Sequence, residues 1–346
     1  MVSAVCRDDH STLPDAQGKA CAQALRESDV GKFFEALGGK LGDTWSQVFR
    51  KPAFFFWTGG LLLWALQGSN RQRLESWAAN LPLTVHVPIP IAGFLVLFVG
   101  FLVVEASESL AKVVELPLTR LLEGYWPRQI DRLRALRVLR WNTLHSKREG
   151  RFQKLQKKLG DGTLSFRDRE DLTQVDKELR SLPSNSSDRM PTRFGNLLRA
   201  AERRPLEKYG LDAVICWPRL WLLLPDGAKN ELVQARSSVN EGVDVWFWSL
   251  LFMVWTVWTW WACIISLAGL FLAYRWIVRA AEVFGDLLES TFDVHRAALY
   301  SALRWPPPAN ASEERAAGEK VTQYLWRGSD DRRTRFTTRE EIQPTR

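Results

Sequence analysis

Charged and apolar residues are segregated along this 346-residue chain: Lys, Arg, Asp and Glu are absent from 52–70, 76–104 and 245–274 and crowd the remainder. Uncharged stretches of that length are candidates for burial in lipid. The first, PAFFFWTGGLLLWAL at 52–66, gives about 22 Å of helix against a hydrocarbon thickness of ~30 Å. It must borrow neighbouring residues, thin the bilayer, or fold back as a re-entrant element. The second, LPLTVHVPIPIAGFLVLFVGFLVV at 81–104, is interrupted early by Pro82, Pro88 and Pro90 and runs unbroken from 89 to 104, so it reads as a span. The third, Val245–Tyr274, carries eight aromatic residues in its first seventeen positions. With no Pro or polar turn at its middle, a single tilted helix is expected there.

Between and around these runs the polar stretches keep a helical period. Val30, Phe33, Phe34 and Leu37 mark a short amphipathic helix, followed by a second piece over Trp45, Val48 and Phe49. Residues 105–123 are expected to prolong the second span, and Pro127 to open a helix closed by Gly160, Asp161 and Gly162. Leu172, Val175 and Leu179 predict a helix over 167–181, and LPSNSSDRMP at 182–191 reads as a loop. Thr192 caps a helix with Phe194, Leu197, Leu198 and Ala201 inward and Pro205 at its close. In LDAVICWPRLWLLLP at 211–225, VICW permits a short strand, and the run suits a membrane interface or a soluble core equally. A helix over 228–238 is expected to stop before Asn240 and Gly242, and an amphipathic stretch over 277–303 to end at Pro306.

These patterns describe a mainly α, helical integral membrane protein with about three membrane spans and a large charged helical extramembrane region. Its divisions are an N-terminal arm (1–51), two membrane-associated segments (52–104), an extramembrane helical domain (105–244) containing the 211–225 segment, a Trp-rich transmembrane helix (245–274), and a C-terminal amphipathic helix with a loose tail (275–346). Three crossings would place the termini on opposite sides. Yet Arg50 and Lys51 at one end and Arg275 and Arg279 at the other both favour the cytoplasm. The votes conflict.

Composition sharpens this picture only in places. Seventeen Trp suit membrane boundaries, and a net charge of +8 suits anionic lipid headgroups. Cys6, Cys21, Cys216 and Cys263 have neither metal-ligand nor redox spacing, and the N-terminus has no apolar run behind a basic leader, so no cleaved signal is expected. Phosphate-loop and zinc-protease motifs are missing, so no cofactor, metal site or catalytic residue is expected.

Polar groups at span ends are the remaining candidates. Glu105 and Glu108 leave the second span on one helix face, where they could line a pore mouth or neutralise Lys112 or Arg120. Asp244 before the third span permits the same two readings. His86 enters the second apolar run, where a partly apolar setting can shift its titration. Arg128, Arg132 and Arg140, with Trp217, Trp221, Arg275 and Arg279, are candidates for lipid or partner contact. Adjacent spans make lipid a more economical counterion for these arginines than nucleic acid.

The segment PTRFGNLLRAAERRPLEKYGLDAVICWPRLWLLLP (191–225) resembles one that recurs in uncharacterised multi-pass membrane proteins of bacteria with GC-rich genomes. FDVHRAALYSALRWPPPA (292–309) is similar to a second segment of those proteins. The resemblance implies a multi-pass protein of a bacterial cell membrane and brings no activity with it. The expected function is therefore a non-enzymatic, oligomeric membrane protein, an ion channel or scaffold, that meets anionic lipid and either its own copies or a protein partner. The alternative is a membrane-bound enzyme acting on lipid or another amphipathic substrate.

Overall fold

The structure, a computed structural model, describes residues 51–66, 72, 73, 76, 89–328 and 336, with the backbone alone for 89–95. The helices read between 28 and 49, His86 and most of the C-terminal tail lie outside the described residues. Among the described residues every regular element is helical, as the 3.6-residue periodicity predicts. The chain divides into two units, Met1–Leu110 and Ala111–Arg346.

In the first unit, α1 (Pro52–Ala65) opens on a proline at its first turn, where the missing N–H costs nothing. It is apolar all round. Ala53 and Gly60 are buried while Phe55, Leu61 and Leu62 face outward. Helix α2 (Ile89–Glu123) runs on past Glu105 as expected, enters the second unit at Ala111 and contains Pro117. Lys51 Nζ donates to both carboxylate oxygens of Glu105, at 2.6 and 2.7 Å. The indole N–H of Trp57 donates to Ser107 Oγ at 3.1 Å, holding α1 to α2 near its start.

In the second unit, a single 3-10 turn (Arg128–Ile130) after Pro127 leads into α3 (Asp131–Gly160). Helix α4 (Phe166–Arg180), capped reciprocally by Ser165 and Asp168, lies antiparallel to α3. Arg148–Glu178 and Lys158–Asp168 ion pairs, at 2.7 and 3.1 Å, cover the buried Leu155 and Val175. The loop beyond α4 is held by buried Arg189, whose guanidinium donates to Asn142 Oδ1 and to the carbonyls of Pro183 and Ser184.

Helix α5 (Arg193–Tyr209) starts where Thr192 predicts and buries the predicted Phe194, Leu197, Leu198 and Ala201. Thr192 Oγ1 accepts the Gly195 N–H at 3.0 Å and donates to the Glu123 carbonyl at 2.8 Å. A Cβ on Gly195 would sit 1.8 Å from that carbonyl oxygen, so only glycine allows α5 to meet the end of α2. Pro205 does not close α5. The helix runs on to Tyr209 and ends at Gly210 in the left-handed conformation, φ 69°, with the Gly210 N–H on the Leu206 carbonyl.

The 214–217 strand is not formed. Residues Ala213–Leu223 make α6, because Asp212 caps the N–H groups of Val214 and Ile215, and Pro218 sits inside without ending the helix. Its inner side is core, with Cys216 and Leu220 fully buried against Phe292 and Val321. Helix α9 (Ala311–Arg327), capped by Asn310, completes this core.

Two further expectations are overturned in the longest elements. Helix α7 (Asp226–Phe252) does not stop before Asn240 but passes through Gly242 into the apolar run. The run Val245–Tyr274 is not a single helix. A 3-10 stretch (Met253–Val257) ends α7, and the chain reverses into α8 (Trp261–Ala302), which packs back along α7. Val254, Thr256, Val257 and Thr259 are β-branched and weaken helix continuation. The turn then satisfies its own donors: the Trp258 and Thr259 N–H groups reach the Trp255 carbonyl, and the Ala262 N–H reaches the Thr259 carbonyl.

Candidate functional site

The reversal makes a long hairpin with a distinctive tip. Gly242 meets Ile277, and Ser249 meets Ser266 and Gly269, so the last charge before the tip, Asp244, and the first after it, Arg275, stand at one level. The inner seam of α8 uses Ala262, Ser266, Gly269 and Ala273. Ser266 Oγ donates to the Ser249 carbonyl at 2.7 Å, and a Cβ on Gly269 would fall 2.5 Å from Ser249 Oγ. Small residues at such a seam let two backbones approach within an apolar setting.

The outer surface of the tip is apolar. Val257, Trp260, Phe271 and Leu272 are each more than half exposed. Among the described residues α8 is the one helix long and apolar enough to cross a membrane, and only 28% of its apolar window is buried by the protein itself. A core helix of a soluble domain would be covered. Trp255, Trp258, Trp260 and Trp261 gather at the turn, the last two stacked at 4.1 Å. Trp246, Trp248, Tyr274 and Trp276 lie toward the charged base. Aliphatic Leu250, Ile264, Ile265 and Leu267 occupy the band between.

Beside the base of the hairpin lies an open groove of about 880 Å3 between α6, α7 and α8. Trp217 and Trp221, with ring centroids 5.7 Å apart, form one wall, and Val233, Phe284 and Leu288 line the other side. Arg236 lies 5.8 Å from the centroid of the Phe284 ring. With Asn240 it also lines a second recess, of about 360 Å3, completed by Lys112, Glu115, Arg120 and Glu123 of α2. Burial pushes the Glu123 carboxyl above its ordinary range; Arg236 and Arg120 pull the other way, and Glu202 adds to the rise.

The sequence-predicted residues do not converge on one centre. Glu105 is ion-paired, and its partner is Lys51 rather than the expected Lys112 or Arg120. Glu108 is buried and Asp244 half-buried, whereas His86 is outside the described residues. Arg128, Arg132 and Arg140 are exposed on α3 and its approach, as are Arg275 and Arg279 on α8. Arg275 stacks over Phe271, the last full turn of the apolar face. Trp217 and Trp221 do line a cavity, but as the wall of the groove.

The cation that joins groove to recess, Arg236, escaped the sequence reading. Its neighbourhood, QARSSVNEGVD, carries no motif, and only the two cavities it lines beside α6 and α2 give it a role. Cys216 is packed against Thr322, and burial pushes its thiol up to about 11, so it is core rather than nucleophile. Glu289, also buried, is held by Lys208 at 2.5 Å and by Arg204. This pairing ties α8 to α5. No protein-family model, curated protein or solved structure matches this chain.

Proposed function

We propose that the protein is a non-enzymatic membrane scaffold whose Trp-rich hairpin enters the bilayer and returns to the side it came from. One observation carries this reading: thirty uncharged residues fold back on themselves, with the small residues of α8 hidden and Trp258, Trp260, Trp261, Ile264, Ile265 and Phe271 turned outward, while Trp248 and Trp255 are buried. In water such a surface favours association; in lipid it is the solvated state. The helical part of Val245–Phe252 rises about 12 Å and the 3-10 turn about 10 Å more, while Trp261–Tyr274 rises about 21 Å. Legs of this length fall short of the ~30 Å core, but indole rings at the turn extend them toward the far headgroups.

With a hairpin, Asp244, Arg275 and Arg279 share one side of the membrane. The pore reading has less support, because Glu105 is committed to Lys51.

The test is cysteine accessibility in sealed vesicles, in a chain whose four native cysteines are replaced. Arg279→Cys should react with a membrane-impermeant maleimide and Val257→Cys should not, until detergent is added. Val257 is 81% exposed, so equal labelling of both positions in intact vesicles would refute the insertion.

A further inference from the structure

The groove beside the hairpin has an apolar wall at one end and a cluster of charges without close ion pairs at the other. Trp217, Trp221, Val214 and Val233 supply the wall, with Leu232 and Leu288 at its floor. At the other end Lys112, Arg120 and Arg236 share the recess with Glu115 and Glu123. Among the described residues none of these five side chains comes within 4.0 Å of an opposite charge. Glu202, which lines the groove, is already paired with Arg199 at 3.3 Å. The recess thus holds three cations and two carboxylates that leave one another unpaired, and burial moves Glu123 toward its neutral form. An incoming anion would offer the arginines charge-assisted bonds, which are about twice as strong as neutral ones.

We propose that this groove binds a single-chain anionic amphiphile, its acyl chain lying between the Trp217–Trp221 wall and α7 and its carboxylate or phosphate meeting Arg236, Arg120 and Lys112. The volume of about 880 Å3 lies within the range of small-ligand sites, as does the combination of a largely apolar lining with a few converging polar groups. One groove and one recess accommodate one chain and one head. Arg236 is the hinge of the arrangement, because it lines both cavities while its guanidinium rests on Phe284. Arginine suits this place through its planar fork of donors, which can grip two oxygens of one acid group. Binding here does not depend on whether the hairpin enters a bilayer.

The experiment uses the full-length chain in nanodiscs of zwitterionic phospholipid and a diazirine-bearing palmitate as photoreactive probe, with cross-linked peptides mapped by mass spectrometry. Labels are expected on α6 and on the Leu232–Asn240 part of α7. Unlabelled palmitate or palmitoyl-lysophosphatidylglycerol should displace them at about one tenth the concentration of hexadecanol, which has the chain but no charge. The better of the two competitors identifies a carboxylate or a phosphate as the preferred head, and either result supports the site. Val233→Trp, at a position 56% exposed, should fill the groove and abolish labelling without moving the thermal midpoint. Arg236→Gln should weaken competition by the anions about tenfold, a change of about 1.4 kcal/mol, and Arg236→Lys should restore most of it. Labelling confined to 245–274, or hexadecanol competing as well as the acids, would overturn the proposal. Either result leaves the accessibility test of the hairpin unaffected.

Discussion

From Trp261 to Tyr274, α8 turns Ile264, Leu267 and Phe271 outward and hides Ala262, Ser266 and Ala273; from Ile277 to Tyr300 it hides Ile277, Leu288, Phe292 and Leu299 and turns Arg279, Asp286 and Ser290 outward. The two halves of one helix therefore have opposite polarity. In the lower half, large side chains leave water for a core, which is the ordinary source of stability in a globular body. In the upper half the largest side chains are left outside and the neighbour contributes backbone contact at a seam of small residues. Sorting by size rather than by polarity is what a helix pair does when its surroundings are as apolar as its interior. The contrast can be tested by making matched changes in each half.

The largest effect is expected in the lower half. Phe292 is fully buried, so Phe292→Ala should cost about 3–5 kcal/mol of stability. Phe271, 61% exposed, should tolerate the same change with almost no loss in thermal unfolding, followed by circular dichroism in detergent. Equal losses would break the comparison. Next comes Gly195→Ala, which would press a methyl group into the Glu123 carbonyl. It should cost about 3 kcal/mol or more, since backbone rather than a flexible side chain must move.

A smaller effect is expected at Glu289. Burial alone would raise its carboxyl, but Lys208 and Arg204 outweigh that and hold it below its ordinary value. A carboxylate whose folded-state pKa is depressed stabilises the fold above its unfolded-state pKa. That contribution should begin to fade below about pH 4.3 and be lost through the lower folded value. Acid unfolding curves should show the loss in the unmodified chain and not in Glu289→Gln. At neutral pH the variant should be less stable by about 1–2 kcal/mol, because Lys208 and Arg180, a further partner of Glu289 at 3.6 Å, remain partly in water. The smallest change should follow Ser266→Ala, which removes one bond to the Ser249 carbonyl. Bonds of this kind between membrane helices average about 0.6 kcal/mol, so a thermal shift of several degrees would mean that the seam depends on polar pairing more than on size.

Much of the second unit outside the hairpin was legible in the sequence because its signals are local. Thr192 caps α5 through its own hydroxyl, Gly160 to Gly162 ends α3, and the inward face of α5 follows from spacing alone. The hairpin was not legible for the corresponding reason. Its turn is built from Met, Val, Trp and Thr, none of which punctuates a sequence as Gly or Pro does. The reversal comes instead from the fit of Ser249 against Ser266 and Gly269, residues seventeen and twenty positions away. Pro205 misled in the other direction: like Pro218, it sits inside a helix whose remaining contacts hold it together. The groove was half visible, since its tryptophans stand out by type, whereas Arg236 is one arginine among many until α2 and α6 come to rest beside it.

The level placement of Asp244 and Arg275 bears on how such a segment could be delivered to its place. A polypeptide that must be threaded through a membrane has to drag its hydrophilic flank across hydrocarbon, a step that needs dedicated machinery. In the insertion proposed above both flanks would stay on the face of entry, so the body built from α5, α6, α9 and the lower half of α8 would not have to cross. The finished loop can then sink in as a preassembled wedge.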